Sequence, residues 1–172
     1  MNNKRIKKLT CFLITILVLI SCKKEKKIVE KSAKDNYEIS IVFPDTVFIN
    51  KPYNGKINYK NSLDTITTTL DDIHKARFIE YAFIKTQTIN YSDKYLKKIV
   101  TDTFVTRNNR EIPLYNIRFN HLGLNYIDGI ITDKVMIEIG EEDEKGNILT
   151  RIITDEFRFT KKVFVINNRT KK

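Results

Sequence analysis

Two histidines and two cysteines, His74, His121, Cys11 and Cys22, are all that this 172-residue chain offers toward metal or thiol chemistry. Zinc sites draw on His, Cys and carboxylate ligands at short recurring spacings. No HxH, HExxH or CxxC pattern is present, and each histidine stands alone. His74 follows Asp71 and Asp72 in a polar stretch and reads as solvated; His121, beside Leu122 and Gly123, reads as a turn residue. Glu141, Glu142, Asp143 and Glu144, with Gly146 and Asn147, offer the oxygen ligands that calcium takes, but not at EF-hand spacing, so a solvated hairpin tip is expected. Asp64, Asp71, Asp72 and Asp128 are the acids available for the paired carboxylates of glycoside hydrolysis. Ser40, Ser62 and Ser92 sit outside any GxSxG elbow, and no phosphate loop or dinucleotide fingerprint occurs. The expectation is a chain with no catalytic residue, no metal site and no cofactor.

The one chemical signature lies at the start. Met1–Lys8 carries Lys4, Arg5, Lys7 and Lys8 without an acid, and Leu9–Ile20 (LTCFLITILVLI) is almost wholly apolar. A basic head, a short apolar run and a small residue make a secretory signal, and the run is short for a bilayer span of about 20 residues. Leu19, Ile20, Ser21 and Cys22 then stand where an ordinary signal would have a small-x-small site. This box resembles the lipobox of bacterial lipoproteins. The resemblance implies that a diacylglycerol is joined to the Cys22 thiol, that residues 1–21 are removed, and that the new amine is open to acylation with a fatty acid such as palmitate. Each buried methylene contributes about 0.8 kcal/mol, so two or three chains hold a protein to a bilayer where one does so only marginally.

Charge divides along the chain. The formal net charge is +10. Residues 1–21 contribute +4, residues 22–36 contribute +3 and residues 169–172 contribute +3, leaving residues 37–168 neutral. A basic stripe on the folded body is what nucleic-acid binding needs, so that class is excluded. Lysines beside a lipid anchor suit an anionic membrane surface. With Cys11 in the signal and Cys22 lipidated, the body has no thiol and must fold on its apolar core; a length near 130 residues is enough for one core. The Ile, Asn and Lys bias and the SCKKEKK junction resemble small lipoproteins of the Bacteroidetes. That resemblance, with lysines rather than acids after Cys22, implies the outer membrane, facing the periplasm.

Residues 22–36 read as a charged flexible tether, spanning roughly 20 Å as a coil. From Tyr37 the pattern alternates with period two. Tyr37, Ile39, Ile41 and Phe43 form one series, and Tyr53, Gly55, Ile57 and Tyr59 form the clearest one, with Asn54, Lys56, Asn58 and Lys60 on the wet side. Residues 61–75 read as a long polar loop. Ala76–Lys85 reads as a central strand, Tyr95–Val100 as a short helical turn, Thr101–Thr106 as an edge strand and Arg107–Arg110 as a turn. Ile112–Asn120 is expected to place Tyr115, Ile117 and Phe119 on one face. Leu124–Ile131, Lys134–Ile139, Ile148–Ile153 and Phe157–Ile166 complete eight to ten short strands, with Glu141–Asn147 as a charged turn.

Such spacing predicts an all-β body over residues 37–168: a single antiparallel β-sandwich, with a closed β-barrel as the alternative. His121–Ile131 (HLGLNYIDGII) resembles the late strands of immunoglobulin-like bacterial modules, although Asn125 stands where their corner tyrosine is usual. Residues 169–172 read as a basic tail. The functional expectation is a non-catalytic envelope lipoprotein, held to the lipid bilayer through Cys22, whose sandwich binds a protein or glycan partner through loops 61–75 and 86–95. A small-ligand carrier or enzyme inhibitor, and a carboxylate hydrolase, are the alternatives.

Overall fold

The computed structural model describes residues 29–31 as backbone, and residues 37–106 and 108–168 in full. The signal segment, Leu19, Ile20, Ser21, Cys22 and the basic tail lie outside the described residues. Nine strands are present among those described: β1 (Val29–Lys31), β2 (Glu38–Val42), β3 (Thr46–Phe48), β4 (Tyr53–Lys60), β5 (Lys75–Thr86), β6 (Asp102–Val105), β7 (Glu111–Ile117), β8 (Gly123–Glu142) and β9 (Ile148–Ile166). One α-helix occurs among the described residues, α1 (Asp93–Ile99), and it precedes β6. Ser92 caps it by accepting a hydrogen bond from the Tyr95 amide at 3.3 Å. The body is all-β, with two sheets, one of them curled.

The four-stranded sheet runs β1-β2-β4-β7 and the five-stranded sheet β3-β9-β8-β5-β6. Both give their apolar sides to one buried cluster: Ile41, Ile57 and Leu114 from the first meet Tyr81, Ile131 and Val163 from the second. Alternation decides the faces. Along β5 the odd-numbered Ile79, Tyr81 and Phe83 are buried inward, and Tyr81 and Phe83 stack at 5.2 Å between ring centroids. The outward side of β5 and β8 is sealed by α1, whose Leu96 covers Ile84 and Ile130.

Several sequence expectations change. The strands are not uniformly short: the segments expected at 124–131 and 134–139 are one strand of 20 residues, and those at 148–153 and 157–166 are one of 19. Asp133 and Asp155 fall in the gaps between those expected strands, yet they stand opposite each other in a continuous ladder, Asp133 bonded to Arg77 and Asp155 to Asn61. The five-stranded sheet is not wholly antiparallel, since β3 lies parallel to the end of β9, Val47 opposite Val165. Tyr115 does not share a face with Ile117 and Phe119. Asn116 adopts a left-handed φ of 58°, which shifts the phase by one residue. Ile112 and Leu114 are therefore buried before it, Ile117 and Phe119 after it, and Tyr115 is 57% exposed. Loop 61–75 begins with a 3-10 turn at Ser62–Thr65. The helical turn, the edge strand at β6 and the interior placement of β5 stand as expected.

Candidate functional site

Two buried clusters hold Asp64 and Asp128, two of the four candidate acids. On the inner side, Asp133 of β8 sits in phase with Ile127, Ile131 and Val135, an apolar series that would normally exclude a carboxylate. Arg77 of β5 meets it from the neighbouring strand. Arg77 Nη1 also donates to Asp64 Oδ1 at 2.6 Å and to the Thr67 carbonyl at 2.8 Å. Asp133 Oδ2 accepts further bonds from the Tyr59 hydroxyl at 2.9 Å and the Asn61 amide at 3.3 Å. Asp64 also accepts from Asn109 at 3.2 Å and from Arg110. Tyr59 belongs to the four-stranded sheet and Asp133 to the other, so the network fastens the two sheets together. Burial, then the neighbouring Asp133 charge, pushes the Tyr59 hydroxyl far above its ordinary range. Burial alone would weaken the charge of Arg77, but its bonds to Asp133 and Asp64 more than offset this.

On the outer side, Asp128 is fully buried. Arg158 grips it at 2.8 and 3.2 Å, and Thr160 Oγ1 donates at 2.6 Å. Arg158 also donates to Asp93 and to the Tyr91 and Ile89 carbonyls, with its guanidinium 5.3 Å from the Tyr91 ring centroid. Segment 86–95 is thereby tied down to the sheet.

The four candidate acids are thus not brought together. Asp128 and Asp133, five residues apart on one strand, face opposite sides. Asp64 and Asp128 are each locked to arginine, which suits structure rather than proton transfer. Asp72 Oδ1 accepts from the His74 and Lys75 amides, and Asp71 stands exposed. His74 Nδ1 lies 3.0 Å from Glu138 Oε2, and the ring is largely exposed. At the charged turn, Asp143 accepts bonds from the Lys145 and Asn147 amides and the Asn147 side chain at 2.8 to 2.9 Å. Its oxygens are turned to the N–H groups of Asn147 and Lys145, which hold the carboxyl below its ordinary value. No cluster of three or more metal-ligating His, Cys, Asp or Glu side chains occurs among the described residues.

The two loops expected to carry recognition are each anchored to the body at a few residues and exposed at most of the others. Asn61 and Thr67 are buried in the first, and Arg158 holds the second through the Tyr91 and Ile89 carbonyls while residues 87–90 and 92–95 stay exposed. The long hairpin supplies further exposed surface. β5 stops pairing at Lys75 opposite Ile137, so beyond Glu138 strands β8 and β9 run on as a two-stranded ribbon. Ile139, Ile148 and Leu149 are exposed along it, and Ile152 and Ile73 stand exposed beside its base. Residues 138–151 hold five carboxylates, Glu138, Glu141, Glu142, Asp143 and Glu144, against Lys145 and Arg151. A second apolar spot lies at the opposite end of the five-stranded sheet. There Phe164 stands opposite Leu124, beside an open depression of about 590 Å³ between Phe48, Leu122 and Ile166.

Sequence reasoning missed the Arg77–Asp133 pair: Asp133 fell between the strands expected at 124–131 and 134–139, and nothing near Arg77 in the chain announces its partner. Comparison with family models, curated proteins and solved structures found no match to this chain.

Proposed function

We propose that the protein is a lipid-anchored, non-catalytic component of a bacterial cell envelope, tethered through Cys22, whose all-β body presents the acidic, isoleucine-bearing ribbon to a partner. The observation that carries this is the order of the first 22 residues: basic head, apolar core, then Leu19-Ile20-Ser21-Cys22. The body fits the role. It is neutral overall, its buried acids are paired, and exposed Ile139, Ile148 and Leu149 stand on an extension that the core does not need. The shared core of the two sheets supports reading them as an immunoglobulin-like sandwich. Asn125 donates to the His121 and Gly123 carbonyls at 2.9 and 3.1 Å, bracing the corner where such modules usually carry tyrosine. The isoleucines favour a protein partner over a glycan, which would call for exposed aromatic platforms. The acidic tip favours a basic surface on that partner. The anchor directs the body to the outer membrane, on its periplasmic side.

Labelling with a fatty acid tests the anchor. The parent should take up label and sediment with membranes, and Cys22→Ala should do neither. An unlabelled parent, or a Cys22→Ala chain that fractionates as the parent does, sinks the reading. Ile139→Ser with Ile148→Ser tests the ribbon: these changes should abolish cross-links to a partner in intact envelopes without removing the protein from the membrane.

A further inference from the structure

Strand β9 is paired along one edge by β8 and along the other only at Thr46–Phe48, opposite Phe164–Ile166. From Ile148 to Val163 the second edge has no neighbouring strand among the described residues. The bonds at the β3 end fix what that edge displays. Phe164 N donates to the Asp45 carbonyl at 2.8 Å, and Ile49 N donates to the Ile166 carbonyl at 2.9 Å, so the even-numbered residues point their backbone groups away from β8. The register against β8 runs without a shift from Val165 back to Thr150, so the same parity holds over that length. A bare edge this long is a template for another strand, and β9 has neither proline nor bulge there to blunt it.

We propose that this edge pairs antiparallel with the same edge of a second copy, centred on Ile153, joining two five-stranded sheets into one of ten strands. The β9 sequence is self-complementary in that register. A two-fold axis normal to the sheet sets residues of one face opposite residues of the same face. With Ile153 on the axis, Ile153 meets itself, Arg151 meets Asp155 twice and Leu149 meets Phe157 twice. The even-numbered pairs, Ile152 with Thr154 and Thr150 with Glu156, then exchange the backbone hydrogen bonds. Centring on Ile152 would set Asp155 against Leu149, and centring on Thr154 would set it against Ile153. Odd-numbered pairs are the non-hydrogen-bonded ones, with Cα atoms about 4.5 Å apart, close enough for a disulfide at the centre. The inference does not rest on the lipid anchor.

The test uses the purified full chain in detergent. Light scattering of the parent should give the protein mass of two copies. Ile153→Cys should form a reducible dimer under mild oxidation, well above the background of the parent's own cysteines, while Lys162→Cys, far from the axis, should not. Arg151→Asp should give monomers, and Arg151→Asp with Asp155→Arg should restore the dimer, each with unchanged far-UV circular dichroism. A parent of one-copy mass at every concentration overturns the proposal. So does cross-linking at Lys162→Cys equal to that at Ile153→Cys, or a double variant no more dimeric than Arg151→Asp.

Discussion

Arg77 and Asp133 meet through two roughly parallel hydrogen bonds, Nε to Oδ1 at 2.9 Å and Nη2 to Oδ2 at 2.6 Å, with both side chains wholly removed from solvent. Ion pairs of this kind are expensive to desolvate and hold only when the remaining donors and acceptors are also met. Here Tyr59, Asn61, Asp64 and the Thr67 carbonyl meet them.

Arg77→Met should therefore destabilise the fold by about 3–5 kcal/mol, because Asp133 is left as an unpaired buried charge. Arg77→Met combined with Asp133→Leu should recover much of that loss. Urea unfolding followed by tyrosine fluorescence, the chain having no tryptophan, measures both. Equal losses in the single and double variants would mean that the pair contributes through packing alone.

Stability should fall on the acid side. Burial tends to raise the Asp64 carboxyl, but hydrogen bonds from Arg77 and Arg110 outweigh it and hold the group below its ordinary value. A carboxylate depressed in the folded state adds stability that is complete above the unfolded value, about 3.9, and is lost as pH drops through the folded value. Asp64→Asn should lower stability at neutral pH and flatten the acid limb. An acid limb that keeps its slope would assign it to other carboxylates.

Gly129 and Gly140 should respond to alanine for different reasons. A Cβ at Gly129 would lie 2.4 Å from the Ala82 carbonyl oxygen and 2.5 Å from Phe83 Cβ, both on the neighbouring strand. Gly129→Ala should cost about 1–3 kcal/mol or more, since backbone must move apart. Gly140 has open space but a φ of +73°. Gly140→Ala should cost only the left-handed penalty, about 1–2 kcal/mol. Thermal unfolding of the two variants separates them.

The ribbon should tolerate polarity. Ile139→Ser and Ile148→Ser remove side chains that cover nothing, so stability should stay within about 0.5 kcal/mol of the parent. A larger loss would show that these residues are buried against something in solution.

Much of this architecture was legible before any coordinates. Alternation found β2 and β4, an apolar run found β5, the polar run Glu141–Asn147 marked the hairpin turn, and Tyr95–Val100 showed as a helical turn that in fact begins at Asp93. What stayed hidden depended on partners distant in sequence. Asp133 looks like a strand break until Arg77, on another strand, supplies its counter-charge. Tyr115 looks like core until Asn116 takes a backbone angle that few side chains other than Asn tolerate. The parallel seating of β3 leaves no local mark. The acids Asp64 and Asp128 looked available because nothing nearby in sequence announces Arg77 or Arg158. The residues of the anchor stand apart, since their meaning lies in their order along the chain and not in a fold.

The parallel pairing of β3 with the tail of β9 has a temporal consequence. Thr46–Phe48 emerges early and Phe164–Ile166 nearly last, and contacts so distant along a chain form slowly, because the loop between them must close first. The early strand waits, unseated, for the final residues to arrive. A polypeptide threaded outward through a narrow conduit would thus stay pliable for nearly the whole passage and lock only on release.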